Sequence, residues 1–227
     1  MAQRKQSKGA CAYCGKVLAK GALTKHLGTC GKRLEAIAQA EAGKATPEIL
    51  FHLRVQDVYR SEFWLDLEMR GSKSLQDLDT YLRAIWLECC GHMSQFSFGG
   101  GFAQEVGKRR KMSDVFQLGR ELTHIYDFGT SSETLVKLVE VRQGKPTTSK
   151  AIALMARNLM PEEKCIECGK PATHLCVECL YEDETWGTLC DAHTKTHPHD
   201  SYEEPIPLVN SPRLGMCGYD GPAEPPY

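Results

Sequence analysis

The densest run of cysteine and histidine residues in this chain lies between residues 165 and 217 and restricts what that region can fold into. Three ligand pairs follow one another there, two of the form Cys-x2-Cys and one of the form Cys-x2-His: Cys165 and Cys168, Cys176 and Cys179, Cys190 and His193. Each pair forms a tight turn that points both ligand atoms at one ion. Three further candidate ligands follow: His197, His199 and Cys217. The spacing predicts two closed zinc sites of four ligands each, whereas a catalytic zinc would need an open fourth position.

Two ways of sharing these ligands between two ions are compatible with the spacing. In a cross-braced module the first and third pairs share one ion, and the second pair takes the other ion with two of the three remaining candidates. In consecutive sites the first and second pairs share one ion. We favour the cross-braced order with Cys217 as one of the last two ligands, because the turn Pro212-Arg213-x-Gly215 can return it to the module.

Disulfides are the alternative for these cysteines, and the compartment decides between the two. The first residues are basic, but no apolar stretch follows them as it would in a secretory signal. No apolar run is long enough to span a bilayer. We therefore expect a protein of the reducing cytoplasm, in which most of the 11 cysteines can bind metal.

A second ligand pattern lies near the N-terminus, where Cys11 and Cys14 are followed by His26 and Cys30. The first pair forms a knuckle, and a helix starting at about Ala22 places His26 and Cys30 four residues apart on one face. The pattern resembles a single zinc finger of the Cys-Cys-His-Cys kind. Together with the C-terminal sites it predicts about three structural zinc ions.

The net charge of −1 conceals opposite charges at the two ends of the chain. Residues 1–45 contain nine Lys or Arg and two Glu, whereas residues 160–227 contain four Lys or Arg and 13 Asp or Glu. The basic region, whose residues 1–10 we interpret as a flexible tail, suits nucleic acid or another polyanion. The alternatives are a finger that binds protein, a solvated basic face, and mutual attraction of the two ends.

Between these ends, residues 46–160 predict a central α+β domain. Residues 1–45 then hold the tail, the finger and a helix, and residues 161–227 hold the acidic two-zinc module with a proline-rich tail. Apolar and polar residues alternate along two segments, which predicts paired strands at 48–58 and 63–69. On the first of them His52 falls on the polar side and is expected to face solvent.

A helix is predicted from Leu75 to about Cys89, with Ser74 and Asp77 as a capping box at its start. Its apolar stripe is expected to pack in the core: Leu75, Leu78, Leu82, Ile85 and Trp86. The basic run Lys108-Arg109-Arg110-Lys111 is interpreted as a solvated loop, with phosphate contact as the alternative.

The sequence Cys89-Cys90-Gly91-His92 follows the predicted helix. One adjacent pair with one histidine is a poor zinc set, so we interpret Cys89 and Cys90 as buried or helix-end thiols. The alternative is a reactive thiol assisted by His92, within an enzyme site that also includes Asp127. Convergence of these groups in a cleft with perturbed pKa values would favour the enzyme.

The central residues resemble a known family, the Ri-plasmid ORF-three-like family, some members of which are described as TnpR-type passengers of an insertion element. The motifs that carry the resemblance are Leu75-x2-Leu78-Asp79-x2-Leu82-Arg83-x-Ile85-Trp86-Leu87-Glu88-Cys89-Cys90-Gly91-His92-x-Ser94-x-Phe96, Tyr126-Asp127-Phe128-Gly129, and Asn210-Ser211-Pro212-Arg213-x-Gly215-x-Cys217-Gly218-Tyr219. The resemblance covers roughly residues 47–219 and excludes the finger. It implies an α+β domain with a mixed sheet and packed helices, and no established catalytic residues.

The sequence departs from the commoner family pattern at one strand. Phe63-Trp64-Leu65-Asp66 stands where other members have Ile-Trp-Arg-Arg. A serine resolvase is excluded, because Ser7 lies in the predicted tail ahead of the finger, without the activated serine and arginine cluster that such an enzyme needs. The sequence therefore predicts a non-enzymatic, zinc-stabilised accessory protein that binds nucleic acid or protein, with the enzyme near His92 as the alternative.

Overall fold

The computed structural model describes residues 7–116, 120–199 and 204–221. Residues 1–6 of the predicted tail, with Arg4 and Lys5, lie outside the described residues, as do residues 117–119, 200–203 and 222–227. Within the described ranges, no helix combines the length and apolar character needed to cross a membrane.

A nine-stranded sheet forms the centre of the molecule, in the spatial order β2-β1-β9-β4-β3-β8-β7-β5-β6. In chain order its strands are β1 Lys8–Cys11, β2 Val17–Ala19, β3 Glu48–Asp57, β4 Trp64–Arg70, β5 Ser94–Phe98, β6 Gln104–Val106, β7 Glu121–Tyr126, β8 Ser132–Gly144 and β9 Ile152–Asn158. The α+β class is confirmed. Every strand pairing of this sheet is antiparallel, in place of the mixed sheet that the resemblance implied.

Few α-helices accompany the sheet in the part of the chain that the structure describes. They are α1 Lys20–Thr29, α2 Gly31–Ala42, α3 Leu75–Leu82, α4 Met112–Val115 and α5 Val177–Glu182, with a π-helical turn at Arg83–Leu87. The predicted capping box of α3 is confirmed, since Ser74 and Asp77 make both of its hydrogen bonds. The helix is shorter than predicted. The α-helix ends at Leu82 and the π-helical turn that follows ends at Leu87, two residues before the predicted end at Cys89.

One face of the sheet packs against α3 and forms the main core. The predicted apolar stripe of α3 and of the turn after it is fully buried there. Phe63, which precedes β4, and the alternating side chains of that strand meet it from the sheet: Leu65, Leu67 and Met69. Because successive strand residues point to opposite faces, Trp64, Asp66 and Glu68 lie on the other side of β4.

The N-terminal finger covers that other side. Strand β1 pairs with β9, with Gly9 opposite Asn158 and Ala10 opposite Arg157. The prediction that residues 1–10 form a flexible tail is therefore wrong for the part from Lys8 onwards. The sheet edge supplies hydrogen-bond partners to these residues, and sequence reasoning had no local signal for that pairing.

His52 is buried, at 6% exposure, and the prediction that it faces solvent is wrong. Its Nε2 lies 2.9 Å from Oδ1 of Asp66, which is itself fully buried. The polar side of β3 and β4 faces the finger helices instead of water. On that side the Arg54 guanidinium donates a hydrogen bond to Thr24 Oγ1 of α1 at 2.6 Å. Alternation indicates which side chains share a face, but it cannot show what covers that face.

The C-terminal region adds a second, three-stranded sheet, in the order β11-β10-β12. Its strands are β10 His174–Cys176, β11 Gly187–Leu189 and β12 Ile206–Pro207. Residues 204–221 then return to the central domain. Ser211 Oγ donates to the carbonyl of Trp86 at 2.7 Å, and the buried guanidinium of Arg213 donates to Ser132 Oγ at 2.9 Å.

Candidate metal centres

The first centre belongs to the finger. Its four ligand atoms lie within 4.8 Å of one another, and they come from Cys11, Cys14, His26 and Cys30. The Sγ atoms of Cys11 and Cys30 are 3.9 Å apart, and Cys14 Sγ is 3.3 Å from His26 Nε2. Strand β1 and the following turn place the first two residues. Helix α1 brings His26, and Cys30 follows at the junction with α2.

The apolar side of the finger is not self-contained. Leu23 and Leu27 of α1 pack with the ligand cysteines against Trp64 of β4 and Met155 of β9. The indole N–H of Trp64 donates to Ser7 Oγ at 3.0 Å. The finger is therefore attached to the central sheet by a shared apolar cluster as well as by the pairing of β1 with β9.

The second and third centres share the C-terminal module in a cross-braced order. The first group consists of Cys165, Cys168, Cys190 and His193; the second consists of Cys176, Cys179, His197 and His199. In the first group Cys168 Sγ is 3.8 Å from Cys190 Sγ, and Cys165 Sγ is 3.2 Å from His193 Nδ1. In the second, Cys179 Sγ is 3.1 Å from His197 Nε2 and 3.2 Å from His199 Nδ1.

Cys217 does not complete either centre, contrary to the prediction that favoured it as a ligand. Its Sγ lies 3.4 Å from the Tyr181 hydroxyl and 3.5 Å from a nitrogen of Arg213. The predicted turn at Pro212–Gly215 does form, but Arg213 is drawn into the central domain by Ser132, Thr130 and Asp127. Cys217 is carried with it, and His197 and His199 are the remaining pair beside Cys176 and Cys179.

The spacing of these donor atoms fits tetrahedral zinc. Zn–S bonds of about 2.3 Å put two sulfurs roughly 3.8 Å apart, which is close to the 3.8 and 3.9 Å observed here. The groups also contain four protein ligands each, so a bound ion would have a filled coordination shell. These Cys/His groups can hold metal ions, and their ligand types and spacing are compatible with zinc.

An outer carboxylate supports the third centre. With Nε2 of His197 facing Cys179, its Nδ1 lies 3.0 Å from Oε1 of Glu167. Metal-binding histidines commonly donate their second ring N–H to a carboxylate, which fixes the ring and its tautomer. The sequence did not indicate this role for Glu167, which lies between Cys165 and Cys168, because its partner His197 belongs to the other ligand group. The cross-brace makes such a contact possible.

The pKa values of two ligand thiols are lowered. Burial raises the pKa of Cys165, but the backbone N–H of Cys190 and the His193 side chain outweigh it and lower the pKa to about 6. The backbone N–H of Lys16 is the main cause that lowers the pKa of Cys14 to about 7. Both shifts favour the thiolate, the form that binds metal. Burial acts in the opposite direction at other ligands, raising the pKa of Cys11 to about 11 and that of Cys179 to about 12.

A fourth group lies in the central domain and contains three candidate ligands, Cys89, Cys90 and His92, again within 4.8 Å of one another. His92 Nε2 is 3.6 Å from Oδ2 of Asp127. The residues of the alternative enzyme site thus converge. Burial raises the pKa of Asp127, but the backbone N–H groups of Gly129 and Thr130 outweigh it and keep the pKa below its ordinary value, which does not suit a general base.

Some basic residues of the N-terminal region are buried and bonded within the fold, whereas others are exposed to solvent. Burial lowers the pKa of Lys20 to about 8, and its ammonium donates to Gln56 Oε1 at 2.7 Å. Arg33 is buried against Glu68. Lys8, Lys16 and Lys25 remain exposed on the finger.

The run Lys108–Lys111 is exposed at Arg109, Arg110 and Lys111, as predicted for a solvated loop, but it also has an internal role that the sequence did not indicate. The carbonyls of Arg110 and Lys108 accept hydrogen bonds from the N–H groups of Leu75 and Gln76, the first residues of α3. Lys108 Nζ also contacts the buried Asp79, at 3.1 Å. The first N–H groups of a helix have no acceptor within the helix itself. The backbone carbonyls of this run supply acceptors for two of them at the start of α3.

A scan against protein-family models found no match, and a search of curated proteins found none either. Among solved structures the chain is similar to a protein of unknown function from Methanosarcina mazei Go1, with 20% sequence identity and a TM-score of 0.41. The likeness covers 49% of this chain and 68% of the other. The resemblance to the Ri-plasmid ORF-three-like family stays a prediction.

Proposed function

We propose that this protein is a zinc-stabilised, non-enzymatic binding protein and that its partner is nucleic acid, which it contacts through the N-terminal finger. The observation that carries the proposal is that three groups each bring four Cys or His ligand atoms within 4.8 Å of one another. Four protein ligands leave no position for a substrate, so zinc in these groups stabilises the fold and presents a surface.

The choice of nucleic acid depends on charge. Lys8, Lys16 and Lys25 are exposed and stand on one small module, whereas Lys20 and Arg33 of the same region are engaged with Gln56 and Glu68. The acidic C-terminal module would repel phosphate. A single finger covers only about three base pairs, so the affinity should come mainly from phosphate contacts and be weakly dependent on sequence.

The test is fluorescence anisotropy with labelled double- and single-stranded oligonucleotides over a range of salt concentrations. We expect the triple variant Lys8→Gln, Lys16→Gln, Lys25→Gln to bind at least tenfold more weakly at low salt. The slope of log K against log salt should also become shallower by about two to three, since each lost phosphate contact changes it by about 0.9.

A matched control removes the same charge elsewhere. Lys150, Lys170 and Lys195 are exposed and lie outside the finger. Their triple change to Gln should leave the slope close to that of the wild type. Equal effects of the two triples would contradict a finger interface, and absence of binding by the wild type at low salt would contradict nucleic acid as the partner.

The second candidate is the enzyme near His92, which the convergence of Cys89, Cys90, His92 and Asp127 favours. This candidate requires a measurable catalytic activity. The lysine variants of the finger, which weaken nucleic-acid binding, would leave that activity unchanged. A role in mobile elements and membership of the Ri-plasmid ORF-three-like family rest on the resemblance of the central motifs. A search for binding to insertion-element ends, with scrambled DNA as the comparison, would test that role.

A further inference from the structure

The group of Cys89, Cys90 and His92 differs from the other three in the number and setting of its ligands. It offers two thiols and one imidazole, whereas each of the other groups offers four protein ligands. Cys90 is exposed, Cys89 is half-buried, and 36% of the His92 side chain is accessible. A metal ion held here would therefore keep one position open to solvent.

The backbone brings these side chains together just after the π-helical turn, which ends at Leu87. It bends at Cys89 and Cys90, and Gly91 adopts a φ of +73°, a left-handed conformation that favours glycine. The Glu88 carboxylate accepts from the Gly91 N–H at 2.8 Å and is ion-paired with Arg83. Single π-helical turns within helices occur frequently at functional sites.

Neighbouring side chains hold the ligands in place. The Tyr126 hydroxyl lies 3.2 Å from the Cys89 backbone N and 3.5 Å from its Sγ, and it donates to Glu88 at 3.2 Å. Asp127 faces the His92 ring at 3.6 Å and is itself fixed by Arg213 at 3.3 Å. At this distance the Asp127 carboxylate lies beside the ring without a hydrogen bond to it, and it is one of the groups that border the site.

Cys217 lies beside the group without belonging to it. Its carbonyl oxygen is 3.9 Å from Cys90 Sγ, but its own sulfur faces Tyr181 and Arg213. It therefore offers a control position that is close to the group in space and identical to it in residue type.

We propose that Cys89, Cys90 and His92 form a fourth metal site, which binds zinc through two thiolates and one imidazole and leaves the fourth position to water or an exogenous anion. Two thiolates and an imidazole with one open position are a known ligand set for reactive zinc. The site adds to the proposed binding function and does not depend on it.

Metal content tests the number of sites. The full-length protein, reduced and dialysed against a small excess of zinc, should contain four zinc ions per chain by elemental analysis. The double variant Cys89→Ser, Cys90→Ser and the single variant His92→Gln should each contain three. Cys217→Ser should retain four. Unchanged circular dichroism and thermal unfolding of the variants would separate loss of the site from loss of the fold.

Cobalt tests whether the site is open. In the cobalt-loaded wild type, azide should change the visible absorption of one ion out of four, because only an open position accepts an exogenous ligand. The change should be absent from Cys89→Ser, Cys90→Ser.

Three outcomes would overturn the proposal. They are three zinc ions in the wild type, an equal metal content in the wild type and both variants, and a visible spectrum that azide does not alter. Loss of one ion from Cys217→Ser would show a closed four-ligand site and would contradict the open position.

Discussion

Buried carboxylates hold the face of the sheet that the finger covers. Burial raises the pKa of Asp66, but hydrogen bonds from His52 and Arg54 outweigh it and keep the pKa below its ordinary value. Glu68 is 4% exposed and pairs with both Arg33 of α2 and Arg142 of β8. The finger is thus joined to the sheet by paired charges as well as by apolar contacts. Loss of one partner would leave a buried charge uncompensated, which is far more costly than loss of a surface pair.

Asp57 is a carboxylate to which no cationic side chain of the described residues donates a hydrogen bond. It ends β3 and accepts hydrogen bonds from the N–H groups of Tyr59 and Arg60. Burial nevertheless raises its pKa to about 6. A carboxyl whose pKa is raised on folding stabilises the protein below its unfolded pKa, near 4, and this contribution is lost as the pH rises through about 6.

We therefore expect Asp57→Asn to remove a pH dependence. The amide keeps an acceptor oxygen for the two backbone N–H groups but carries no charge to bury. Between pH 5 and pH 7.5 the stability of the variant relative to the wild type should rise by about 1–2 kcal/mol. Urea unfolding with zinc present measures it at each pH. Parallel curves for the two proteins would show that Asp57 does not titrate in this range.

At the scale of elements, the joint between β1 and β4 controls how the finger sits on the sheet. Gly9 of β1 lies over Trp64, and a Cβ at Gly9 would come within 2.5 Å of two carbons of the indole ring. Trp64 is fully buried between the finger and the sheet, with the Arg54 guanidinium 4.7 Å from its ring centroid. Only glycine permits this close approach.

Gly9→Ala should therefore destabilise the protein by about 1–3 kcal/mol, because the new Cβ would clash with the backbone carbonyl of Arg157 on β9 as well as with the packed indole. Gly28→Ala is the matched control, since nothing lies within 4 Å of a Cβ there. It lies in α1, where alanine should stabilise by up to about 0.8 kcal/mol. Urea unfolding, followed by tryptophan fluorescence, compares the two. Equal effects of the two changes would contradict the role of Gly9.

Local signals in the sequence sufficed for elements whose partners are near in the chain. The capping box of α3 and the alternation of β3 and β4 are written in a few adjacent residues, and the structure has both. The pairing of β1 with β9 depends on residues far apart, and three or four residues of strand carry no periodicity. The burial of His52 was missed for the same reason, since the covering finger is specified elsewhere. Ligand spacing identified the pairs, but the position of Cys217 depended on Arg213 and its partners in the central domain.

At the scale of the whole molecule, the C-terminal module has almost no apolar core of its own. Its buried cluster consists of four ligand cysteines and Leu189. Zinc contributes on the order of 10–16 kcal/mol to the folding of small modules of this kind. Residues 204–221 differ, because they are held by the central domain through Ser211 and Arg213.

Chelation followed by limited proteolysis should cut first within residues 161–199. The sheet should resist roughly over residues 47–158, and the segment from 204 to 221 should co-elute with it in gel filtration, still bound. Cys168→Ala should give the same cuts without chelator, whereas Cys217→Ala should not. Resistance of residues 165–199 in the chelated protein would contradict a structural role for the metal.

The pairing of β1 with β9 also sets an order of events while the chain is being made. The partner of Gly9 is Asn158, roughly 150 residues later. At 5–20 residues per second, a ribosome needs on the order of ten seconds to deliver it. The finger has all four of its ligands by Cys30, so metal can organise it long before its place on the sheet exists. Until then the apolar side with Leu23 and Leu27 has no Met155 to cover it, which makes this interval the period in which the nascent chain is most open to wrong partners.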